Sequence, residues 1–219
     1  MSKHILLGSP IDELLDNLYS RSTGETDDLV AYFSRRFQEG SLRSYEFDED
    51  AHRFLSDKLV ALDREKAEFC YQICRALRAK RVVEAGTSFG VSTLFLAAAV
   101  RENTRADDQP GVVIATEHET SKAKSARATF TTAGLLEYVD LREGDLRQTL
   151  LDVAGPIDFM LLDIWTPMAL PALELVAPLL RAGAVIIADN TEQFRDAYSD
   201  YFAFVNDPAN KLCTMTLPF

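Results

Sequence analysis

Five acidic residues, Glu84, Glu117, Asp145, Asp163 and Asp189, stand at or just beyond the ends of β-rich runs. Parallel strands bring their carboxyl ends to one edge of a sheet, where open α/β sheets bind ligands. The acids would therefore surround one crevice. Any one of them alone reads as a solvated loop residue or a helix N-cap; the set reads as a binding site. The stretch Glu84-Ala85-Gly86-Thr87-Ser88-Phe89-Gly90-Val91-Ser92 is a glycine-bearing turn between a strand and a helix. Gly86 permits a tight turn, Gly90 a close backbone approach, and the N–H groups of the following helix can receive a carboxylate. The pattern is ExGxxxG, where a dinucleotide fingerprint would be GxGxxG. Glu117 lies about thirty residues past Gly86, at the strand end where an acid takes ribose hydroxyls. Turn and acid describe a nucleoside ligand and leave nicotinamide cofactors and adenosylmethionine both open.

The elements that must place these residues are legible from periodicity. Short β-branched runs at Arg81–Glu84, Gly111–Thr116, Val139–Arg142, Ile157–Leu162 and Ala184–Ala188 predict five strands. Helical stretches at Ser92–Val100, Ser121–Ala133, Arg147–Val153 and Met168–Leu180 alternate with them. That alternation implies an α/β fold, a doubly wound, mostly parallel sheet with helices on both faces. Residues 1–63 differ: Ile11, Leu14, Leu15 and Leu18, then Leu29, Tyr32 and Phe33, repeat at helical spacing with no β-rich run. They predict an N-terminal helical lobe (1–63) ahead of the α/β domain (64–219), with helices near Glu49–Leu62 and Arg64–Leu77, and a polar loop over Asn103–Gly111. Lys211–Leu217 reads as a sixth strand.

Composition bounds the partners. A formal net charge of −11 over 219 residues repels polyanions, so nucleic acid is not an expected partner. Cys70, Cys74 and Cys213 have neither CxxC spacing nor an even count, so they suggest neither a disulfide framework nor a zinc site and fit a reducing compartment. Cys70 and Cys74, one helical turn apart, read as core thiols. With neither a signal-peptide pattern at the start nor a membrane-length apolar run, the expected setting is cytoplasmic, with no membrane partner.

From about Glu65 onward the residues resemble the class I S-adenosylmethionine-dependent methyltransferases, in particular the cation-dependent O-methyltransferases related to catechol O-methyltransferase. Val83-Glu84-Ala85-Gly86-Thr87-Ser88-Phe89-Gly90 resembles that family's first cofactor motif, and Thr116-Glu117 its ribose-binding acid. The resemblance implies a Rossmann-like methyltransferase fold, with Ser92 on the methionine carboxylate and Gly144-Asp145-Leu146 beside the adenine. His118, directly after Glu117, would lie beside the cofactor. Leu161-Leu162-Asp163-Ile164-Trp165 resembles the metal-binding strand end and Ala188-Asp189-Asn190 the second metal segment. Asp163, Asp189 and Asn190 are thereby implied as ligands of a divalent metal. Two carboxylates and an amide carbonyl are hard oxygen donors that suit Mg²⁺ and also accept Mn²⁺ or Ca²⁺. A metal-bound phenol would lose its proton more easily and face the sulfonium methyl. Asp163 also belongs to the implied cofactor site, and with Trp165, beside the reacting methyl, it is the implied catalytic pair.

The chain departs from this family at Thr166, where the catechol enzyme has a lysine general base; a threonine hydroxyl cannot serve as that base at neutral pH. His52 and Tyr45 are substitute candidates, and Tyr45, Phe47, Phe54 and Trp165 are candidates for an apolar wall. A small-molecule hydroxyl is the expected acceptor, and the resemblance implies a homodimer. The competing readings are a metal-independent methyltransferase acting on oxygen or nitrogen, a nicotinamide-dependent oxidoreductase, and a non-catalytic cofactor-binding protein.

Overall fold

The computed structural model describes residues 8–40 and 48–218. Its centre is a sheet of five parallel strands, β1 (Arg81–Ala85), β2 (Val112–Glu117), β3 (Val139–Glu143), β4 (Ile157–Leu162) and β5 (Leu180–Ala188), in the order β3-β2-β1-β4-β5. The order reverses between β1 and β4, so a crevice opens at the carboxyl ends of those two strands. Along each strand alternate residues face opposite layers. Val82, Phe159 and Leu161 enter one layer with Leu94, Phe95 and Phe130; Val83, Met160 and Leu162 enter the other with Leu150, Leu173 and Tyr198. Both faces of the central strands β1, β2 and β4 are covered, which is why these read as near-continuous apolar runs.

Helices α3 (Arg64–Ala76), α4 (Val91–Asp107) and α5 (Thr120–Thr132) supply the first layer, and α6 (Leu146–Thr149), α7 (Thr166–Val176) and α8 (Ser199–Asn206) the second. The N-terminal residues form α1 (Ser9–Gln38) and the short α2 (Glu49–Leu55). Ile11 and Leu15 of α1 join the same core as the sheet. No helix among the described residues is long and apolar enough to cross a membrane.

Several boundaries differ from the sequence reading, each for a physical reason. The two expected helical segments near the N-terminus are one helix of 30 residues. Its polar middle is held by the segment that follows α2: Arg21 donates to the Asp57 carbonyl at 2.9 Å, and Glu25 accepts from the Leu59 amide at 2.6 Å. The same bonds stop α2 at Leu55 instead of Leu62, because the backbone of 57–61 is committed to α1 side chains, the Ala61 amide to Ser22 at 3.3 Å among them. The expected loop 103–111 is mostly helix. Asn103 is buried in α4 and its amide caps the Cys74 and Ala79 carbonyls at 3.0 and 2.8 Å, so this polar residue is structural. The predicted helix Arg147–Val153 shrinks to the four residues of α6, and β5 begins four residues before the expected Ala184. Lys211–Leu217 is not a strand. An extended run gains ladder hydrogen bonds only against a partner, and this one joins no neighbour in the sheet. Cys70 and Cys74 are buried in the core as expected, and burial pushes the Cys70 thiol up to about 12.

Candidate functional site

The turn after β1 is built around two glycines in the left-handed region. Gly86 has φ +100°, and a side chain there would fall on the Asp163 carbonyl oxygen, so the β1 and β4 ends can approach only across a glycine. Gly90, φ +89°, caps the N-terminus of α4, and a side chain there would strike the Phe130 ring. Between them the turn is stitched by backbone bonds from the Thr87 amide to the Thr116 carbonyl at 3.0 Å and from the Gly90 amide to the Thr87 carbonyl at 2.8 Å. Gly86, Thr87, Ser88, Phe89, Val91 and Ser92 then line a crevice shared with Asp163 and with Leu59–Leu62, the segment leading into α3.

Glu84 lies beneath the turn, fully buried. Its carboxylate accepts from the hydroxyls of Thr87 at 3.1 Å, Ser92 at 2.7 Å and Thr93 at 2.5 Å. Burial raises its pKa to about 7; the three hydroxyls pull the other way, and the neighbouring Glu117 charge adds to the rise. Ser92, expected on the ligand carboxylate, here spends its hydroxyl on Glu84. Glu117, at the end of β2, accepts from the Ser88 amide at 2.6 Å and from the Glu119 amide at 2.8 Å. These bonds fix the carboxylate against the glycine turn, which joins the two features that the sequence proposed separately.

The third strand end continues the rim. The Gly144 amide donates to the Glu117 carbonyl at 2.9 Å. Asp145 caps α6 through the Arg147 amide at 2.9 Å and pairs with the Arg147 guanidinium, which holds its carboxyl down at about 2. Leu146 turns into the core, and His118 is exposed.

On the other side of the switch point, Asp163 donates its amide to the Ala85 carbonyl at 3.1 Å and Asp189 its amide to the Leu162 carbonyl at 2.9 Å, so the ends of β1, β4 and β5 are laced together. Burial raises the Asp163 carboxyl to about 7, with the Asp189 and Glu84 charges adding to the rise and Lys66 opposing it. Asp189 is already engaged: the Lys66 ammonium donates to its Oδ1 at 2.7 Å. Asn190 sits at φ +59°, with its amide directed to Gln193 at 3.5 Å. No third carboxylate, histidine or thiol joins Asp163 and Asp189 as a metal donor among the described residues. The oxygen atoms have the right chemistry for a hard cation, yet the residues as arranged do not fit one, because a lysine cation holds Asp189.

Trp165 precedes α7 and its ring lies 4.6 Å from the His52 ring of α2. Helix α2 thus reaches the end of β4. Thr166 is buried at the start of α7. Phe54 does not join this wall; it stacks on Tyr32 of α1 at 3.8 Å. Tyr45 and Phe47 lie outside the described residues. Sequence reading missed Lys66, Leu59–Leu62 and Thr93. Thr93 was within reach as the next hydroxyl after Ser92, whereas Lys66 stands 123 residues from Asp189 and nothing local marks it.

Comparisons with known proteins agree with this geometry. A family described as a methyltransferase domain matches residues 83–191, the stretch from β1 to just past Asp189. The chain is similar to a catechol O-methyltransferase of Mycobacterium tuberculosis, 30% identical over 132 residues; the match covers 60% of this chain and 57% of that protein's own length. The cofactor-bound structure of Rv0187 from MTB superposes with a TM-score of 0.62 at 25% identity, over 72% of this chain and 77% of that one. The O-methyltransferase TomG of Streptomyces achromogenes, involved in tomaymycin synthesis and solved in complex with SAM, gives 0.56 at 26% identity, over 80% and 76%.

Proposed function

We propose, from the premise that this chain belongs to the class I S-adenosylmethionine-dependent methyltransferases related to catechol O-methyltransferase, that it methylates a hydroxyl oxygen of a small, flat, phenol-like molecule. The observation that supports the cofactor side of this reading is the lock between Glu117 and the Gly86–Gly90 turn; the acceptor side rests on the Trp165–His52 ring pair at the end of β4. The lock holds a carboxylate and a close backbone surface in place at the glycine turn before any ligand arrives, and such preorganisation lowers the cost of binding.

S-adenosylmethionine supplies an electrophilic methyl group on a sulfonium. The chain's own residues do the rest. Glu117 has acceptor capacity beyond its two amide bonds for a ribose diol. The N-terminus of α4 favours a carboxylate. Glu84, buried below, is poised near neutrality, so a cationic ligand above the turn favours its ionised form. On the acceptor side Asp163 takes the hydrogen bond of the incoming hydroxyl, and Trp165 with His52 offers an aromatic surface to a flat ring. Helix α2, through His52, serves as a cover for that ring. No step is assigned to a divalent metal, since Lys66 stands against Asp189. The expected homodimer is likewise proposed, with the outer edge of β5 joined to no further strand among the described residues and the mass in sedimentation as its check.

The proposal is tested by supplying S-adenosylmethionine with an isotopically labelled methyl group together with a panel of phenols, catechols and amines. Label on a phenolic oxygen is expected. Label on nitrogen alone would move the reading to an N-methyltransferase.

A further inference from the structure

We propose that the Lys66 ammonium is the resident cation of the acceptor side, occupying Asp189 where a divalent metal would bind and closing that position to one. This rests on the methyltransferase reading for its meaning, but its geometry stands independently. Lys66 lies in the first turn of α3, shortly after the Leu59–Leu62 segment that lines the crevice. Its Nζ is 2.7 Å from Asp189 Oδ1 and 3.4 Å from Asp63 Oδ2, a carboxylate at the N-cap of its own helix. The Lys66 and Asp189 side chains are 21% and 13% exposed, so the pair is largely withdrawn from water, where an ion pair is screened least.

An ammonium carries three N–H donors. Two are directed at Asp189 and Asp63 among the described residues, which leaves one for a further oxygen. That is what an acceptor hydroxylate needs: a positive charge and a donor beside Asp163. A divalent ion entering between Asp163 and Asp189 would meet the like charge of Lys66, and would have to displace it from Asp189 Oδ1. Asp189 is itself pinned, its amide on Leu162 and its carbonyl accepting from Tyr198 Oη at 3.2 Å. The carboxylate therefore stays facing α3, and Asp163 gains its compensating charge from a side chain in place of a metal.

Mn²⁺ is the probe, titrated into the full chain and read by electron paramagnetic resonance, with S-adenosylhomocysteine binding measured in parallel by calorimetry in excess EDTA. The wild type is expected to bind no Mn²⁺ below about 1 mM and to keep its S-adenosylhomocysteine affinity in EDTA. Lys66→Met is expected to open the site and tighten Mn²⁺ binding at least about tenfold, and Lys66→Arg to behave as wild type. Stoichiometric Mn²⁺ binding to the wild type at micromolar concentration would overturn the proposal, whether or not Lys66→Met folds. Failure of S-adenosylhomocysteine to bind would instead overturn the methyltransferase reading, which the Mn²⁺ titration does not probe.

Discussion

Glu84 commits its carboxylate to three hydroxyls in a place no water reaches, and the consequence is a measurable dependence on pH. Its pKa is about 7 in the fold against 4.5 ordinarily, so between those values the folded chain holds a proton that the unfolded chain has released. Stability therefore falls as pH rises from about 4.5 to 7. The loss is on the order of 3 kcal/mol, and Glu84→Gln should remove that part of the slope in denaturant melts at pH 5 and 7.5, leaving the part due to Asp163, which burial also raises to about 7; an unchanged slope would assign the dependence to other groups. Gly86 makes a second residue-level prediction. Gly86→Ala places a methyl on the Asp163 carbonyl at a positive φ and should cost roughly 2–4 kcal/mol, from overpacking and backbone strain together; a thermal melt unchanged from wild type would contradict it. Both residues were legible in the sequence because a strand followed by ExGxxxG is a local pattern. Lys66 was not. Its partner is brought to it only by the packing of α3 beside the sheet, and periodicity carries no information about which surface lysine meets which strand end.

The elements that were read correctly are those whose signal is short-ranged. The central strands β1, β2 and β4 appear where expected because they are buried on both faces and read as apolar runs. The misread elements are those shaped by a distant partner. Helix α1 continues through a polar stretch containing Gly24 because the 57–61 segment satisfies its side chains, and α4 runs past Val100 because Asn103 has two carbonyls to cap. The docking of α1 gives a prediction at this scale. Leu15 is fully buried in the same core as α3 and α4, so Leu15→Ala should cost about 2–5 kcal/mol in a denaturant melt. A change below about 0.5 kcal/mol, typical of a surface site, would mean that α1 is not docked as described.

At the scale of the whole molecule, the order β3-β2-β1-β4-β5 makes a site of residues scattered from Leu59 to Asp189. The fold class followed from the alternation of strands and helices, and the crevice from the rule that parallel strands share a carboxyl edge. What the sequence could not supply was the content of the acceptor side, since that depends on how α2, α3 and the strand ends meet in space. The cofactor side is the part on which everything else depends. Calorimetric titration with S-adenosylhomocysteine, beside the same titration with NAD, tests it most directly. Binding at micromolar strength is predicted for S-adenosylhomocysteine and none for NAD, with a loss of about tenfold to a hundredfold in Glu117→Ala, the range expected when a charged hydrogen-bond acceptor is removed. Absence of S-adenosylhomocysteine binding, or tighter binding of NAD, would contradict the methyltransferase reading.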